Sequence, residues 1–132
     1  MWANITFGYF KPPSDQQNYT AEMCFDGDYS TKCNGGLGYS LKLIFDTAKV
    51  IAVKLWNDMD NPEGILNANI LVEEEVCALV PETEFVIVVF CDKPILGNEL
   101  SITTFGNLEL NLMEVEIIIE GKGNFCFLAT CF

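Results

Sequence analysis

The segment Asp26-Gly27-Asp28 has the chemistry to hold a metal ion. It lies within residues 21–35, AEMCFDGDYSTKCNG, where two aspartates, three hydroxyl-bearing residues and two cysteines are close in sequence. Gly adopts a positive φ without steric cost and Asp side chains bond to their own backbone, so this tripeptide predicts a tight turn. Such a turn also gathers oxygen atoms, which a hard cation such as calcium requires. A plain surface turn and a calcium site are therefore the two interpretations of this segment.

Groups that could carry out catalysis are scarce in this chain. It contains no His and no Arg, which excludes Ser-His and Cys-His nucleophile pairs and an ordinary His zinc site. Paired carboxylates for glycoside hydrolysis could come from Asp58 and Asp60, or from the acidic run at residues 73–75. Acidic turns and solvated strand edges explain such pairs far more often. We therefore expect a protein that is not an enzyme.

The charge of the chain restricts its partners. Seven Lys stand against 19 acidic residues, giving a net charge of −12. Nucleic acid and anionic membranes both require basic patches, so neither is expected as a partner. No apolar run is long enough to span a bilayer.

Cysteines and glycosylation motifs indicate an extracellular protein. Six Cys occur without a CxxC pair, which favours disulfides in an oxidising compartment over a metal finger or a thioredoxin-like motif. Asn4 and Asn18 each begin an Asn-X-Thr glycosylation motif. Residues 1–13 lack the basic leader and apolar stretch of a signal peptide, so any signal is expected to have been cleaved or to lie outside this numbering. We expect a secreted or cell-surface glycoprotein.

The apolar pattern predicts strands throughout a single domain. Residues 3–9 alternate between apolar and polar, as a half-buried strand does. The segment FVIVVF at 85–90 is continuously apolar, which predicts a strand buried in the core. No window has sustained helical periodicity, so the pattern predicts an all-β fold, an antiparallel β-sandwich. Further strands are expected at 39–45, 49–56, 65–72, 100–105, 108–112 and 115–119, with a turn at 46–47 and a loop at 92–99.

In order, the motifs of this chain resemble the F-type lectins (fucolectins), within the galactose-binding-like jelly-roll superfamily that includes discoidin domains. The resemblance covers residues 4–121. It implies a jelly-roll β-sandwich for residues 1–121, followed by an additional tail at 122–132. The matching motifs are NITFG from Asn4, CFDGD from Cys24, VIAVKLWN from Val50, LNANI from Leu66, the pair Cys77 and Cys91, and MEVEI from Met113.

The resemblance also shows what this chain lacks for binding fucose. F-type lectins hold fucose with one His and two Arg. Here the His position falls near residues 34–36, and the two Arg positions fall around Asp58 and Ile65. Since the chain has neither residue type, the fucose-binding set is absent. A different sugar could still be bound through Asn, Asp and an aromatic platform.

The family's calcium site is better matched. Asp26 and Glu114 match its two side-chain ligands, although Lys32 occupies the position directly before Cys33, where the family has a hydroxyl. The alternative is that Asp26 caps its own turn while Glu114 is an exposed strand residue. The ligand set that the resemblance implies is Asp26 and Glu114 by their carboxylates, Met23 and Asp28 by their backbone carbonyls, and Thr31 by its hydroxyl.

The cysteines match the family in part. Cys77 and Cys91 match a family disulfide between adjacent strands, and we expect them to be bonded. The family also pairs the Cys of the turn with one just before Glu-Val-Glu, where this chain has Met113. Cys33 therefore needs another partner, and Cys24 could equally be a free buried cysteine. The candidate partners for Cys33 are Cys24, Cys126 and Cys131.

The tail at residues 122–132 decides between two predicted functions. It is apolar and carries Phe125, Phe127 and Phe132, with no charge beyond Lys122. An exposed tail of this kind aggregates, so we expect it to be buried on its own sandwich or at the sheet edge of a partner. Together with the missing sugar ligands, the tail favours an extracellular structural subunit that self-assembles into an oligomer, filament or matrix. The alternative is a glycan-binding lectin module with an altered sugar site.

Overall fold

The structure, a computed structural model, describes residues 1–11, 21–106 and 108–121, and the backbone of 126–127 and 130–131. The sequon at Asn18 and the side chains of Phe125, Phe127 and Phe132 in the tail lie outside the described residues. The described residues include two short 3₁₀ helices, at Ala21–Cys24 and Pro62–Ile65. The strands are β1 Ile5–Lys11, β2 Cys33–Leu37, β3 Ser40–Asn57, β4 Asn69–Val72, β5 Glu75–Leu79, β6 Val86–Thr103, β7 Glu109–Ile119, β8 Cys126–Phe127 and β9 Thr130–Cys131.

Strands β1 to β7 form one antiparallel sheet that folds over into two layers. The order is β2-β7-β3-β6-β4-β5, and β1 also pairs with β3. The 18-residue strands β3 and β6 belong to both layers. Residues 40–45 of β3 pair with β1, whereas residues 50–57 pair with β7. We call the half that contains β1, β4 and β5 the first layer, and the half that contains β2 and β7 the second layer. The predicted antiparallel β-sandwich is confirmed.

Alternate side chains of the long strands meet between the layers. Leu41 and Leu43 in β3, and Leu100 and Ile102 in β6, are fully buried. Each aliphatic side chain buried in this way contributes roughly 1.5–3 kcal/mol to folding. The second layer supplies its own buried residues, among them Val53, Leu55, Ile87, Val89, Leu112, Val115 and Ile117.

The strands are longer than the sequence predicts. Residues 46–47 and 92–99, predicted as a turn and a loop, lie inside β3 and β6. The strand register shifts between Ile44 and Ala48 and again between Val50 and Ala52. Irregular pairing of this kind bends a strand without ending it. The polar residues that suggest a break therefore mark the bend between the two layers.

The segment at 85–90 is not the fully buried strand that its sequence predicts. Residues 86–90 begin β6 and pair with β3, which is their only ladder partner among the described residues. This stretch is therefore an edge of the second layer, with one face directed to the core and the other to solvent. Ile87 and Val89 are buried, whereas Phe90 is 68% exposed. The exposed side chains, which we call the β6 strip, are Val86, Val88 and Phe90.

Candidate functional site

A disulfide and two hydrogen bonds to the Asp26 carboxylate shape the turn around Asp26. Cys24 and Cys33 are bonded, with their Cα atoms 5.1 Å apart, so Cys24 is the partner that Cys33 needs. Asp26 Oδ1 accepts the Asp28 amide at 2.9 Å, and its Oδ2 accepts the Thr31 hydroxyl at 3.0 Å. Asp26 thus caps its own turn. The loop contacts β7 of the second layer through Gly27 and Tyr29.

Glu114 lies beneath this turn. It is on β7 and is only 3% exposed, so the alternative in which Glu114 is an exposed strand residue is wrong. Its Oε2 accepts the Gly27 amide at 2.8 Å, while its Oε1 is buried without a hydrogen-bond partner among the described residues. The loop over β7 accounts for this burial, because it covers the outward face that alternation alone would leave in solvent.

The environment of Glu114 disfavours its charged form. Burial raises the pKa of the Glu114 carboxyl from its ordinary value of 4.5 to about 7, and repulsion from Asp26 and Glu116 acts in the same direction. The hydrogen bond from Gly27 opposes this shift in pKa. Near neutral pH the carboxyl is consequently close to half protonated, and a cation beside it would stabilise its charged form.

Two carboxylates, those of Asp26 and Glu114, could hold a calcium ion here. The unpartnered Oε1 of Glu114 is a hard oxygen, and the Asp26 carboxylate is near enough to perturb it. In the described parts of the chain, no three Asp, Glu or Cys residues form a metal-binding group. Two carboxylates would therefore need help from neutral oxygens. The resemblance implies neutral ligands from Met23, Asp28 and Thr31; here the Asp28 carbonyl accepts the Thr31 hydroxyl at 3.0 Å.

The positions that correspond to fucose ligands are built differently here. Ile65 is fully buried in the core, so it cannot contact a sugar. Asp58 is 3% exposed, and its Oδ2 lies 3.1 Å from Lys32 Nζ. The other oxygen of Asp58 accepts the Asp60 amide at 3.1 Å. An ion pair thus shapes the loop near Asp58, where the resemblance implies a sugar-binding Arg.

A second disulfide links the layers' edge strands. Cys77 in β5 and Cys91 in β6 are bonded, with 4.3 Å between their Cα atoms. This is the pairing that the family resemblance implies. It ties the end of the first layer to the part of β6 that bends towards the second layer.

A polar groove crosses the outer face of the first layer. Its volume is about 380 Å³. One side is β1, an edge strand with β3 as its ladder partner, and the other side is the two-residue turn of Glu73 and Glu74 between β4 and β5. The lining residues, which we call the β1 groove, are Tyr9, Lys11, Lys42, Glu73, Glu74, Glu99 and Ser101.

Several solved structures share this architecture. A fucolectin from striped bass (Morone saxatilis) serum matches with a TM-score of 0.70 and 17% identity, over 86% of this chain and 46% of that one. A family 32 carbohydrate-binding module from C. perfringens NanJ, in complex with galactose, matches with a TM-score of 0.67 and 19% identity. The match covers 89% of this chain and 98% of that one. A Streptococcus pneumoniae fucose binding module matches with a TM-score of 0.71 and 15% identity, over 89% of this chain and 94% of that one.

The chain has an F-type-lectin-like fold. The β-sandwich fold that the resemblance implies is therefore confirmed. The lectin-like chain spans about half the length of the striped bass protein. No protein-family model and no curated protein sequence match it. Within the described residues of this lectin-like fold, no helix has the length and apolar character to cross a membrane.

Proposed function

We propose that this protein is an extracellular carbohydrate-binding module, without enzymatic activity, whose sugar site differs from that of the fucose-binding proteins. The observation that carries the proposal is the fold. Over at least 86% of the chain it matches a fucolectin, a module in complex with galactose and a fucose binding module. The two disulfides support an oxidising, extracellular location.

A sugar at the loop end of the sandwich would meet an ammonium group in place of imidazole and guanidinium groups. The Lys32 side chain is 33% exposed, and its Nζ carries donors suited to hydroxyl oxygens. Its contact with Asp58 holds the ammonium in place and reduces the entropy lost when a ligand binds. Because one amine replaces three donor groups, we expect weaker binding of a single sugar unit here than in the fucose-binding proteins.

We further propose that calcium binds between Asp26 and Glu114. The buried, unpartnered oxygen of Glu114 supports this, because an uncompensated carboxylate in such a place is costly. The bound ion would fix the turn between Cys24 and Cys33 on β7. Its role would be structural, because Glu114 is buried beneath the loop and bonded to its Gly27 amide.

A glycan array probed with the labelled protein, in calcium and in chelator, tests the proposal. We expect binding to a restricted set of glycans. Free sugar added in solution should compete for the protein and reduce its retention on the array. Lys32→Met is expected to weaken binding of single sugar units at the loop end, and Lys93→Met, an exposed lysine on β6, serves as its matched control. Absence of binding to every glycan on the array would overturn the carbohydrate-binding proposal.

Self-assembly is a second candidate, and the β6 strip is the observation that favours it. A strand edge with uncharged, exposed apolar side chains is a template for pairing with another chain. Val86, Val88 and Phe90 have no charged neighbour within residues 85–91 of the sequence. The comparisons give no support to a filament or matrix role, so the carbohydrate-binding function is preferred. Light scattering of the full chain against a Phe90→Lys variant would test the strip.

A further inference from the structure

We propose that the β1 groove binds an extended, uncharged oligosaccharide, and that it is a glycan site separate from the loop end. The inference rests on the proposed carbohydrate-binding function and assigns that function a surface. The groove belongs to the first layer, whereas Lys32 precedes β2 and Asp58 follows β3 at the loop end of the sandwich. Three features of the groove support the inference.

The first feature is the exposed ring of Tyr9, which lines the groove, together with the neighbouring ring of Phe7. Phe7 and Tyr9 lie two positions apart on β1, so their side chains share the outer face. The ring centroids are 5.7 Å apart with 32° between the planes. Phe7 is 53% and Tyr9 36% exposed. Aromatic rings that remain in solvent next to polar groups suit the C–H faces of pyranose rings, which are apolar between their hydroxyls.

The second feature is a floor of polar side chains held in register by strand pairing. Tyr9 pairs with Lys42, and Lys42 pairs with Ser101 on β6, so these three form one row across the layer. Lys42 Nζ donates to Ser101 Oγ at 2.9 Å and lies 3.9 Å from Glu99 Oε1. Lys42 supplies donors, Glu99 supplies acceptors and Ser101 can act as either, so the floor can pair with both roles of a sugar hydroxyl. Ordering by these contacts lowers the entropic cost of binding.

The third feature is the turn that forms the opposite side. Glu73 and Glu74 join β4 to β5 with φ values of 50° and 69°. A two-residue hairpin with positive φ at both positions favours Asn and Gly, so two glutamates there are unfavourable for the backbone. Strained residues of this kind often serve a ligand. Glu73 Oε1 accepts a hydrogen bond from the backbone N–H of Asn98 at 2.7 Å, and this bond fixes the wall of the groove.

Charge and size select the ligand class. The groove combines two lysines with three glutamates, and the whole chain carries −12. A polyanionic glycan would be repelled by this surface, whereas a neutral one would not. At about 380 Å³ the groove is in the range of small-ligand sites, yet its lining is more polar than theirs. A neutral, hydroxyl-rich chain fits both properties.

Titration calorimetry of the full chain tests the inference, with neutral β-linked glucose, mannose and galactose hexasaccharides as probes. We expect at least one to bind, and Tyr9→Ala to weaken its binding by about tenfold or more. Lys42→Met should also weaken it. Phe90→Ala, which removes an exposed ring from the second layer, is the matched control and should bind as the wild type does.

The outcomes separate the groove from the general function. One outcome is that a hexasaccharide binds, that Lys32→Met abolishes this binding and that Tyr9→Ala leaves it unchanged. That result overturns the inference that the β1 groove is the binding site, while the carbohydrate-binding function stands. If no glycan binds in this experiment or on the array, both are overturned. Circular dichroism and thermal midpoints of each variant establish that a loss of binding is not a loss of folding. Glu74→Gly removes the steric cost of the positive φ and one carboxylate from the groove wall. This variant should fold at least as stably as the wild type and bind the hexasaccharide more weakly.

Discussion

Glu114 accepts a hydrogen bond from the Gly27 amide at 2.8 Å, joining residues 87 positions apart in the chain. This bond fastens the disulfide-bonded loop onto β7. Because the loop in turn covers Glu114, the bond and the burial of the carboxyl depend on each other. The raised pKa of Glu114 is the electrostatic consequence of that arrangement.

The stability of the protein should depend on pH through Glu114. Its carboxyl binds a proton more tightly in the folded state, with a pKa of about 7 against an ordinary 4.5. Folding is therefore favoured below about pH 4.5 by this group, and the contribution is lost as the pH rises towards 7. The loss should approach roughly 2–3 kcal/mol. Urea unfolding at a series of pH values measures it, without calcium.

Glu114→Gln provides the control for this pH dependence. The amide keeps an acceptor for Gly27 but does not titrate, so stability should change less with pH above about pH 5 than in the wild type. Other carboxyls titrate in both proteins, and the difference between the two curves isolates Glu114. Parallel curves would contradict the prediction.

Calcium should raise the thermal midpoint of the folded protein. An ion that binds the native state alone stabilises it in proportion to the logarithm of its concentration. Because protons compete for Glu114, the increase should be larger at about pH 7.5 than at about pH 5.5. Asp26→Ala should abolish the increase, and Glu116→Gln should retain it. Equal increases in the wild type and Asp26→Ala would show that calcium acts elsewhere.

Gly97→Ala should destabilise the first layer. A Cβ at this position would lie 2.4 Å from Glu73 Cγ and 2.8 Å from Val72 Cγ1. Overcrowding of this kind costs roughly 1–3 kcal/mol. Glu73→Ala removes one of the two crowded atoms, so the double variant should lose less stability than the sum of the single ones. Additive losses in urea unfolding would indicate that Glu73 is not what Gly97 accommodates.

The tail should contribute to self-association if the second candidate function is right. Burying Phe125, Phe127 or Phe132 is worth about 1.5–3 kcal/mol each, and at physiological ionic strength repulsion between copies is screened beyond about 8 Å. Truncation after Lys122 should then leave a folded monomer, measured by light scattering. Equal molar masses for the truncated and full chains would show that the tail does not mediate assembly.

Much of the fold could be predicted, because alternation along β1 and the buried runs of β3 and β7 are local signals. The lengths of β3 and β6 could not. Asp46 and Thr47 are polar and therefore predict a turn, yet they lie inside a strand that bends. The sequence also does not predict the exposure of Phe90. An apolar edge strand has the same composition as a buried central one, and pairing alone distinguishes them.

The candidate sites were predictable to different degrees. Asp26 and Glu114 were found through the family resemblance, but the burial of Glu114 depends on a loop crossing β7. Cys24 remained one of several partners for Cys33 until the backbone placed them together. The β1 groove had no signal in the sequence. Tyr9, Lys42 and Ser101 are far apart along the chain, and strand register alone brings them into one row.

The passage of β3 and β6 through both layers has a consequence for how the protein comes apart. Neither layer can separate while these two strands stay paired along 13 aligned positions. We therefore expect a single cooperative unfolding transition, with no stage at which one layer persists alone. Pairing of strands so distant in sequence also raises the contact order, which slows folding. Amide hydrogens in the middle of β3 should be the last to exchange, because they open only when the whole sandwich does.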